Sequence, residues 1–324
     1  MNRLRVGVLM GGRSPEREVS LRSGACVLEA LEGSRYEAVP VEIPRTGPWM
    51  PPEGLDVAFI ALHGPYGEDG TIQGLLEFAG IPYTGSGVLA SALAMDKRRA
   101  RHVMASNGVP VPASLAVERE ALAAREGGLV REIEQTLGFP CVVKPNAQGS
   151  SIGVSIVRAP AELPRALEAA FALGDLVLVE EYLTGVEATC GILDDPDVGG
   201  PVALPLVEIV PAREFFDYEA KYTPGAAEEI CPARLPPAAV WRAQAAALRA
   251  YRALGCADVA RVDLFVRDAD VVVLEVNTIP GLTKESLLPK AAQAAGIDFP
   301  RLVDRLITAA LRRAGRLAEG VRIA

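Results

Sequence analysis

An α/β fold in three domains is what the sequence predicts, and three observations carry that reading. Short apolar runs alternate with helical segments, the pattern of packed strand and helix layers. The chain has 324 residues, enough for two or three domains at about 100–200 residues each. The alternation repeats on a smaller scale in a middle segment, and a third segment opens near Glu187. Domains are therefore expected at residues 1–98, 99–186 and 187–324.

The elements follow in order. Arg5 to Met10 reads as a buried strand that ends in Gly11-Gly12. Ser14-Pro15 offers an N-cap and a first-turn proline, so a helix is expected to start there. Pro40 to Gly54 holds five prolines and reads as a surface connection. Leu55 to Leu62 is the second strand, with Gly-rich loops after it. Gly85 to Gly87 turns tightly before a helix that ends near Met95-Asp96-Lys97. In the middle segment, strands are expected at Pro140–Lys144, Val154–Val157 and Leu176–Glu180, with a loop over Gly149–Gly153 and a helix over Leu163–Leu173. Pro211 to Pro237 is long and irregular; loops beyond roughly 12–15 residues are uncommon unless they are functional lids. An Ala-rich helix (Ala238–Leu254), two adjacent strands and an amphipathic helix (Arg301–Arg313) complete the chain.

Composition excludes several classes. Half of the residues are hydrophobic and 23% are charged, too apolar a mixture for disorder. No run of roughly 18 apolar residues exists to span a membrane. A formal net charge of −8 argues against a general nucleic-acid binder, whose phosphate contacts need clustered Lys and Arg. The five cysteines (Cys26, Cys141, Cys190, Cys231 and Cys256) are widely spaced with no C-x-x-C pair, so reduced thiols in the cytosol are expected. The apolar run before Gly12 is too short for a signal-peptide core, which agrees with a cytoplasmic location. Only five of the 33 basic residues are lysine: Lys97, Lys144, Lys221, Lys284 and Lys290.

Chemistry concentrates in a few places. Arg261-Val-Asp263 and Glu275-Val-Asn277 lie on two β-rich runs that flank a polar turn, a hairpin pattern. Side chains alternate along a strand, so Arg261 and Asp263 share a face, as do Glu275 and Asn277. A three-residue turn would set Asp263 opposite Glu275 and Arg261 opposite Asn277. Two carboxylates and an amide oxygen suit Mg²⁺, a hard cation that takes oxygen ligands. The guanidinium beside them would steady developing negative charge.

Lys144-Pro-Asn-Ala-Gln-Gly149-Ser150-Ser151-Ile-Gly153 joins two strands through small residues whose N–H groups can cradle phosphate. It is not a Walker A loop, because no Gly-Lys-Ser/Thr occurs in the chain. His63 follows a strand, in a Gly-rich loop of the kind that binds ligands in open α/β sheets. His102 reads as surface, and Glu16 and Glu18 sit early in a helix, where acids are favoured in any case. Gly85-Ser-Gly87-Val-Leu-Ala90 fits a relaxed dinucleotide fingerprint and raises a nicotinamide-dependent oxidoreductase as a rival. Its context fails: no strand of useful length precedes it, and the acid expected about 20 residues on is missing.

Together these residues resemble the D-alanine–D-alanine ligase family of the ATP-grasp superfamily over nearly the whole chain. The segments that carry the resemblance are Gly11–Ser20, His63–Gly70, Met95–Lys97, Lys144–Gly153, Glu219–Tyr222, Arg261–Asp263 and Glu275–Leu287. The resemblance implies an ATP-grasp architecture: an N-terminal Rossmann-like domain and two α+β domains that sandwich ATP, with a lid near 211–237. It implies ATP-dependent joining of two D-alanine molecules through an acyl phosphate, for peptidoglycan precursors and cell-wall biogenesis. Mg²⁺ (two ions, with Mn²⁺ as a substitute) would be the cofactor, and a cytoplasmic homodimer the assembly, with no nucleic-acid or membrane partner. Other carboxylate–amine ligases of the superfamily, a D-alanine–D-lactate ligase and a non-catalytic nucleotide binder are the alternatives.

The resemblance also implies residue roles. Lys97, Lys144, Ser150 and Ser151 would contact ATP phosphates. Glu180, Glu181, Tyr182 and Leu183 would form the adenine connection, with Glu187 on the ribose and Phe215 and Lys221 also at the nucleotide. Asp263, Glu275 and Asn277 would hold the metal. Glu16 would receive the first D-Ala ammonium, with His63 also at the substrate. Arg261 and the Gly281 N–H would form the oxyanion site, and Ser286 with Leu287 would bind the second D-Ala. Glu16, Ser150 and Tyr222 would latch the lid. Glu181 stands where Lys is common in relatives, and Phe216 where Tyr is often seen. The resemblance ties Tyr222 to dipeptide rather than D-lactate products.

Overall fold

A computed structural model describes residues 3–122, 128–195, 198–211, 227–267 and 270–316. The first layer contains β1 (Leu4–Gly11), α1 (Arg17–Leu31), β2 (Tyr36–Ile43), β3 (Val57–Ile60), α2 (Thr71–Phe78), α3 (Val88–Met95) and α4 (Lys97–Ser106). Its sheet is parallel in the order β2-β1-β3. Two expectations are corrected here. Pro40, read as the start of a connection, lies inside β2 opposite Val8. The strand sits at the sheet edge, where a residue without an N–H is tolerated. Helix α1 begins at Arg17 rather than at Ser14-Pro15. Ser14 instead makes a turn: its Oγ accepts the Glu16 N–H at 3.0 Å and its carbonyl accepts the Arg17 N–H at 3.2 Å.

The second unit holds β4 (Ser114–Glu118), α5 (Arg119–Leu122), α6 (Leu129–Thr136), β5 (Cys141–Pro145), β6 (Ser155–Val157), α7 (Leu163–Phe171) and β7 (Leu176–Glu181). Its antiparallel sheet runs β4-β7-β5-β6. Val117, Ile133, Val143, Val179 and Phe171 are buried in its core.

The third unit comprises β8 (Val186–Asp195), β9 (Gly200–Ala203), β10 (Val207–Pro211), β11 (Ala227–Ile230), α8 (Pro237–Ala253), β12 (Val259–Arg267), β13 (Asp270–Asn277), α9 (Leu287–Ala294) and α10 (Phe299–Arg313). The large sheet is ordered β11-β10-β8-β12-β13, with β9 added beside β8. The stretch 211–237 is not irregular throughout, because Ala227–Ile230 pairs with β10 as a strand. Residues 212–226, which carry most of the expected lid, lie outside the described residues. On α8 the buried face is Ala239, Ala243, Ala246, Ala247 and Ala250, with Tyr251 at its end. Small side chains at helical spacing let this helix lie close on the sheet.

One buried cluster draws on both ends of the chain. Val6, Val8, Val57 and Phe59 of the parallel sheet share one buried cluster with Leu288 of α9 and Leu302, Leu306 and Ile307 of α10. Burial of each such side chain is worth about 1.5–3 kcal/mol. Helix α10 thus covers the first sheet, while the opposite face packs through Leu9, Ile60, Ile72 and Leu76. Among the described residues, no helix is long and apolar enough to cross a membrane.

Candidate active site

Strands β12 and β13 form the expected hairpin, with Arg261 opposite Asn277 and Asp263 opposite Glu275. The route differs from the one expected. The strands close at Arg267 opposite Asp270, across two residues rather than three. The register then shifts by one between Asp263 and Leu264, which skips Leu274. A bulge of this kind re-aims side chains beside a site, and here it restores the opposition of the two carboxylates.

The Asp263 carboxylate is densely held. Arg261 donates from Nε to Oδ1 at 2.9 Å and from Nη2 to Oδ2 at 2.8 Å. Asn277 Nδ2 donates to Oδ2 at 3.1 Å, and Thr189 Oγ1 on β8 donates to Oδ1 at 2.6 Å. Burial works against the Arg261 charge, but Asp263, with Glu275 and Glu68 behind it, outweighs burial and holds the guanidinium above its ordinary value. Among the described residues no three His, Cys, Asp or Glu side chains converge. The donor set is two carboxylates and an amide, all hard oxygens, which fits Mg²⁺ when water and phosphate complete the shell.

Lys97 reaches this hairpin from the start of α4. Asp96 caps that helix by accepting the Arg99 N–H at 2.9 Å. Lys97 Nζ lies 3.2 Å from Glu275 Oε2 and donates to the Gln148 carbonyl at 2.6 Å. A cleft is lined by Glu68, Lys97, Gln148, Gly149, Glu275 and Asn277. Lys144 is turned to Glu180, with Nζ 2.6 Å from Oε2. The other Glu180 oxygen accepts a short hydrogen bond from Arg101 Nη1. Burial pulls the Lys144 ammonium below its ordinary value, with Glu180 resisting and Arg101 adding to the fall. Burial raises the Glu180 carboxyl, but Lys144 and Arg101 outweigh that and hold it low.

The first layer contributes Glu16 and His63. Ser150 Oγ donates a short hydrogen bond to Glu16 Oε1, joining the glycine-rich loop to the start of α1. Gly149 packs so closely that a Cβ there would lie 3.3 Å from Glu16 Oε2, and one on Gly64 would lie 2.6 Å from it. Gly64 also has φ +70°, so a side chain is disfavoured twice over. Ser150 and Ser151 both have left-handed backbones, at φ 51° and 57°. Strain of this sort in non-glycine residues costs about 1–3 kcal/mol and gathers at functional sites. His63 is buried, with Nε2 3.0 Å from Ser23 Oγ and Nδ1 3.5 Å from Glu68 Oε1.

After β13 the chain turns back through Gly281 to Ser286, the N-cap of α9, with Leu287 opening the helix. Ser286 Oγ accepts the Thr283 N–H at 3.1 Å, and a Cβ on Gly281 would come within 2.8 Å of that oxygen. At the other end of the site, Glu181 Oε1 accepts the Ala113 N–H at 2.9 Å. Tyr182 and Leu183 connect β7 to β8, and Glu187 sits on β8 opposite Phe265. Phe215, Phe216, Lys221 and Tyr222 fall outside the described residues.

Sequence reasoning did not single out Thr189, Arg101, Glu68 and Gln148 for this site. Thr189 and Arg101 belong to no motif, and Gln148 acts through its backbone. Glu68 stood inside a quoted segment without a role. The rival dinucleotide reading loses ground, because the Gly85 N–H is bonded to Asp258 Oδ2 at 2.9 Å in the interior.

Comparison with known families decides the question. The family model described as D-ala D-ala ligase N-terminus matches residues 5–54 and 51–86, and that described as D-ala D-ala ligase C-terminus matches residues 103–308. The chain belongs to the D-alanine–D-alanine ligase family. It is 51% identical to the D-alanine–D-alanine ligase of Geobacter sulfurreducens over 94% of both chains. It is also 51% identical to that of Desulforudis audaxviator, over 95% of this chain and 99% of the relative. Among solved structures, the Bacillus anthracis D-alanine–D-alanine ligase complexed with ATP is similar at TM-score 0.80 and 37% identity, covering 96% of this chain and 99% of the other. The VanG D-Ala:D-Ser ligase from Enterococcus faecalis is similar at TM-score 0.83 and 34% identity, covering 95% and 100%. The architecture is the family's ATP-grasp fold.

Proposed function

We propose that this chain joins two D-alanine molecules into D-alanyl-D-alanine, converting ATP to ADP and phosphate. The observation that carries the reading is the meeting of Lys97, Glu275 and the Gly149 loop at one cleft, with Ser150 tying that loop to Glu16. In the proposed sequence, the first D-alanine carboxylate oxygen attacks the γ-phosphorus and the bond to ADP breaks. The second D-alanine amine then attacks the acyl carbon, the C–N bond forms, phosphate leaves and the ammonium proton is lost to solvent.

Each residue has a part in this reading. Glu16 receives the first substrate's ammonium, with His63 beside the substrate. Lys97, Lys144, Ser150 and Ser151 hold phosphates. Glu180 to Leu183 and Glu187 take the adenosine, joined by Phe215 and Lys221. Arg261 and the Gly281 N–H meet the tetrahedral oxyanion. Two Arg261 nitrogens are committed to Asp263, which leaves Nη1 for that oxygen. Ser286 and Leu287 receive the second D-alanine, and Tyr222 closes on Glu16 and Ser150. Exclusion of water protects an acyl phosphate that would otherwise hydrolyse.

Asp263, Glu275 and Asn277 would hold Mg²⁺. Bound there, the metal would act as a Lewis acid that shields phosphate charge. The domain division at 98 and 186, a homodimer and a cytoplasmic location go with this reading. Phe78 and Leu89, exposed apolar side chains on adjacent helices, support self-association. Sedimentation equilibrium tests the dimer, and limited proteolysis tests the division.

The deciding experiment supplies purified protein with ATP, Mg²⁺ and D-Ala. Phosphate release with an equal yield of dipeptide is expected, and no dipeptide would sink the reading. Because one similar structure is a D-Ala:D-Ser ligase, D-Ser and D-lactate belong in the assay as competing acceptors.

A further inference from the structure

We propose that Arg101 is a positioning residue for the nucleotide: it occupies one oxygen of Glu180 so that the carboxylate cannot neutralise Lys144 by itself. The proposal rests on the reading above in one respect, that Lys144 meets phosphate.

The geometry starts from α4. Lys97 and Arg101 are four residues apart, so they lie on one face of the helix, a turn from each other. Lys97 reaches Glu275 on β13 of the large sheet, and Arg101 reaches Glu180 on β7 of the small one. Arg101 also touches the large sheet, with Nη2 donating to the Leu274 carbonyl at 3.3 Å. That carbonyl belongs to the residue skipped by the β-bulge. One guanidinium therefore ties together the two sheets on either side of the nucleotide cleft.

The charges explain why this matters. Arg101 and Glu180 are both buried, at 4% and 2% exposure. Lys144 shares the same carboxylate, through the oxygen that Arg101 does not use. At Glu180 two cations meet one anion, and Glu275, which also acts on Lys144, is already paired with Lys97, so one positive charge is left in excess where burial of an unbalanced charge is costly. It is incomplete without a further anion, and a triphosphate supplies one. Remove Arg101, and Glu180 can turn both oxygens to Lys144. The pair becomes neutral, and its attraction for phosphate weakens. Arg101 Nε is buried with no hydrogen-bond partner among the described residues, so the side chain is placed for charge at some cost in satisfied donors. The depressed Lys144 ammonium agrees, since Arg101 is one of the groups that push it down.

The test compares Arg101→Met, Arg101→Gln and Arg101→Lys with the parent chain. Arg101→Met removes the charge and keeps the bulk. Arg101→Gln keeps a donor without charge, and serves if the Met variant fails to fold. Both neutral variants should raise the KM for ATP about tenfold or more. They should leave the KM for D-Ala, and kcat at saturating ATP, within about threefold. Arg101→Lys should bring the KM for ATP back to within about threefold of the parent. An unchanged KM for ATP in either neutral variant overturns the proposal. So does a joint loss in kcat and both KM values that Lys does not repair, the mark of a merely structural role. If the parent chain makes no dipeptide, the catalytic reading fails instead. The charge argument is then judged by the ADP-induced rise in Tm, which should shrink in Arg101→Met and Arg101→Gln and be retained in Arg101→Lys.

Discussion

Lys97 Nζ lies 3.2 Å from Glu275 Oε2, and the contact joins helix α4 to strand β13 across the mouth of the cleft. In the same way Arg261 grips Asp263. Each carboxylate proposed to hold metal is thus already facing a cation. The two acids are held in place, so a divalent ion meets a prepared pair rather than two that must be assembled.

Glu275→Ala should therefore cost more than the roughly 10–100-fold loss typical of removing an outer partner of a metal ligand. Phosphate release measured over a Mg²⁺ titration checks this. Near-normal kcat at saturating Mg²⁺ would refute the metal role.

Ser150→Ala removes a hydrogen bond to the Glu16 carboxylate. Such charge-assisted bonds contribute about 1.5–3 kcal/mol. The KM for D-Ala should rise roughly 10–100-fold, while the KM for ATP moves much less because the backbone of the loop is kept. Initial rates with each substrate varied in turn separate the two. Equal effects on both would argue that the loop has simply collapsed.

Asp258 predicts a pH effect on stability. Burial, against the pull of Arg313 and the Gly85 N–H, raises its carboxyl from 3.8 to about 6. Between those values the folded chain keeps a proton that the unfolded chain has released. This group's contribution to stability therefore falls as pH rises through that window. At about 1.4 kcal/mol per unit, the loss is on the order of 1–3 kcal/mol. Asp258→Asn abolishes the titration, so the variant should gain on the parent by about that much between pH 4 and 7. Urea unfolding at several pH values reads the difference, and a difference that stays constant would contradict the assignment.

Leu306 on α10 is buried in the cluster that includes Val6 and Phe59. Leu306→Ala should destabilise by about 2–5 kcal/mol through lost burial and a residual cavity. The first sheet should loosen with it. Hydrogen exchange of β1 and β3 amides, alongside urea melts, tests whether the loss spreads across the chain. Protection unchanged in those strands would count against a shared core.

Much of this was legible in the residues, for physical reasons. The Arg261–Asn277 hairpin could be read because one face alternates polar and the other apolar. The bulge at Leu274 could not. It lies at the end of an apolar run, Val271 to Leu274, in which a skipped residue leaves no break in the pattern. Strand β2 was hidden by Pro40, since local chemistry argues against a strand there and only its place at the sheet edge permits one. Arg101 and Thr189 were invisible for another reason. Arg is the chain's default cation and Thr a common strand residue, so nothing local marks either one. Their roles arise from four strands and a helix meeting, and meeting is a tertiary fact. The amphipathic stripe of α10 was plain, but a stripe does not name the surface that it covers.

That covering has a consequence for how the protein is made. Strands β1 and β3 leave the ribosome early, and Val27 and Leu31 of α1 join Val6, Val57 and Phe59 in one cluster, yet that cluster is completed only when α10 emerges some 240 residues after β3. Segments that expose apolar strands during synthesis are prone to mispairing. The nascent chain therefore keeps part of that core unfinished for most of translation, and truncation before α10 should leave apolar surface of the first sheet exposed.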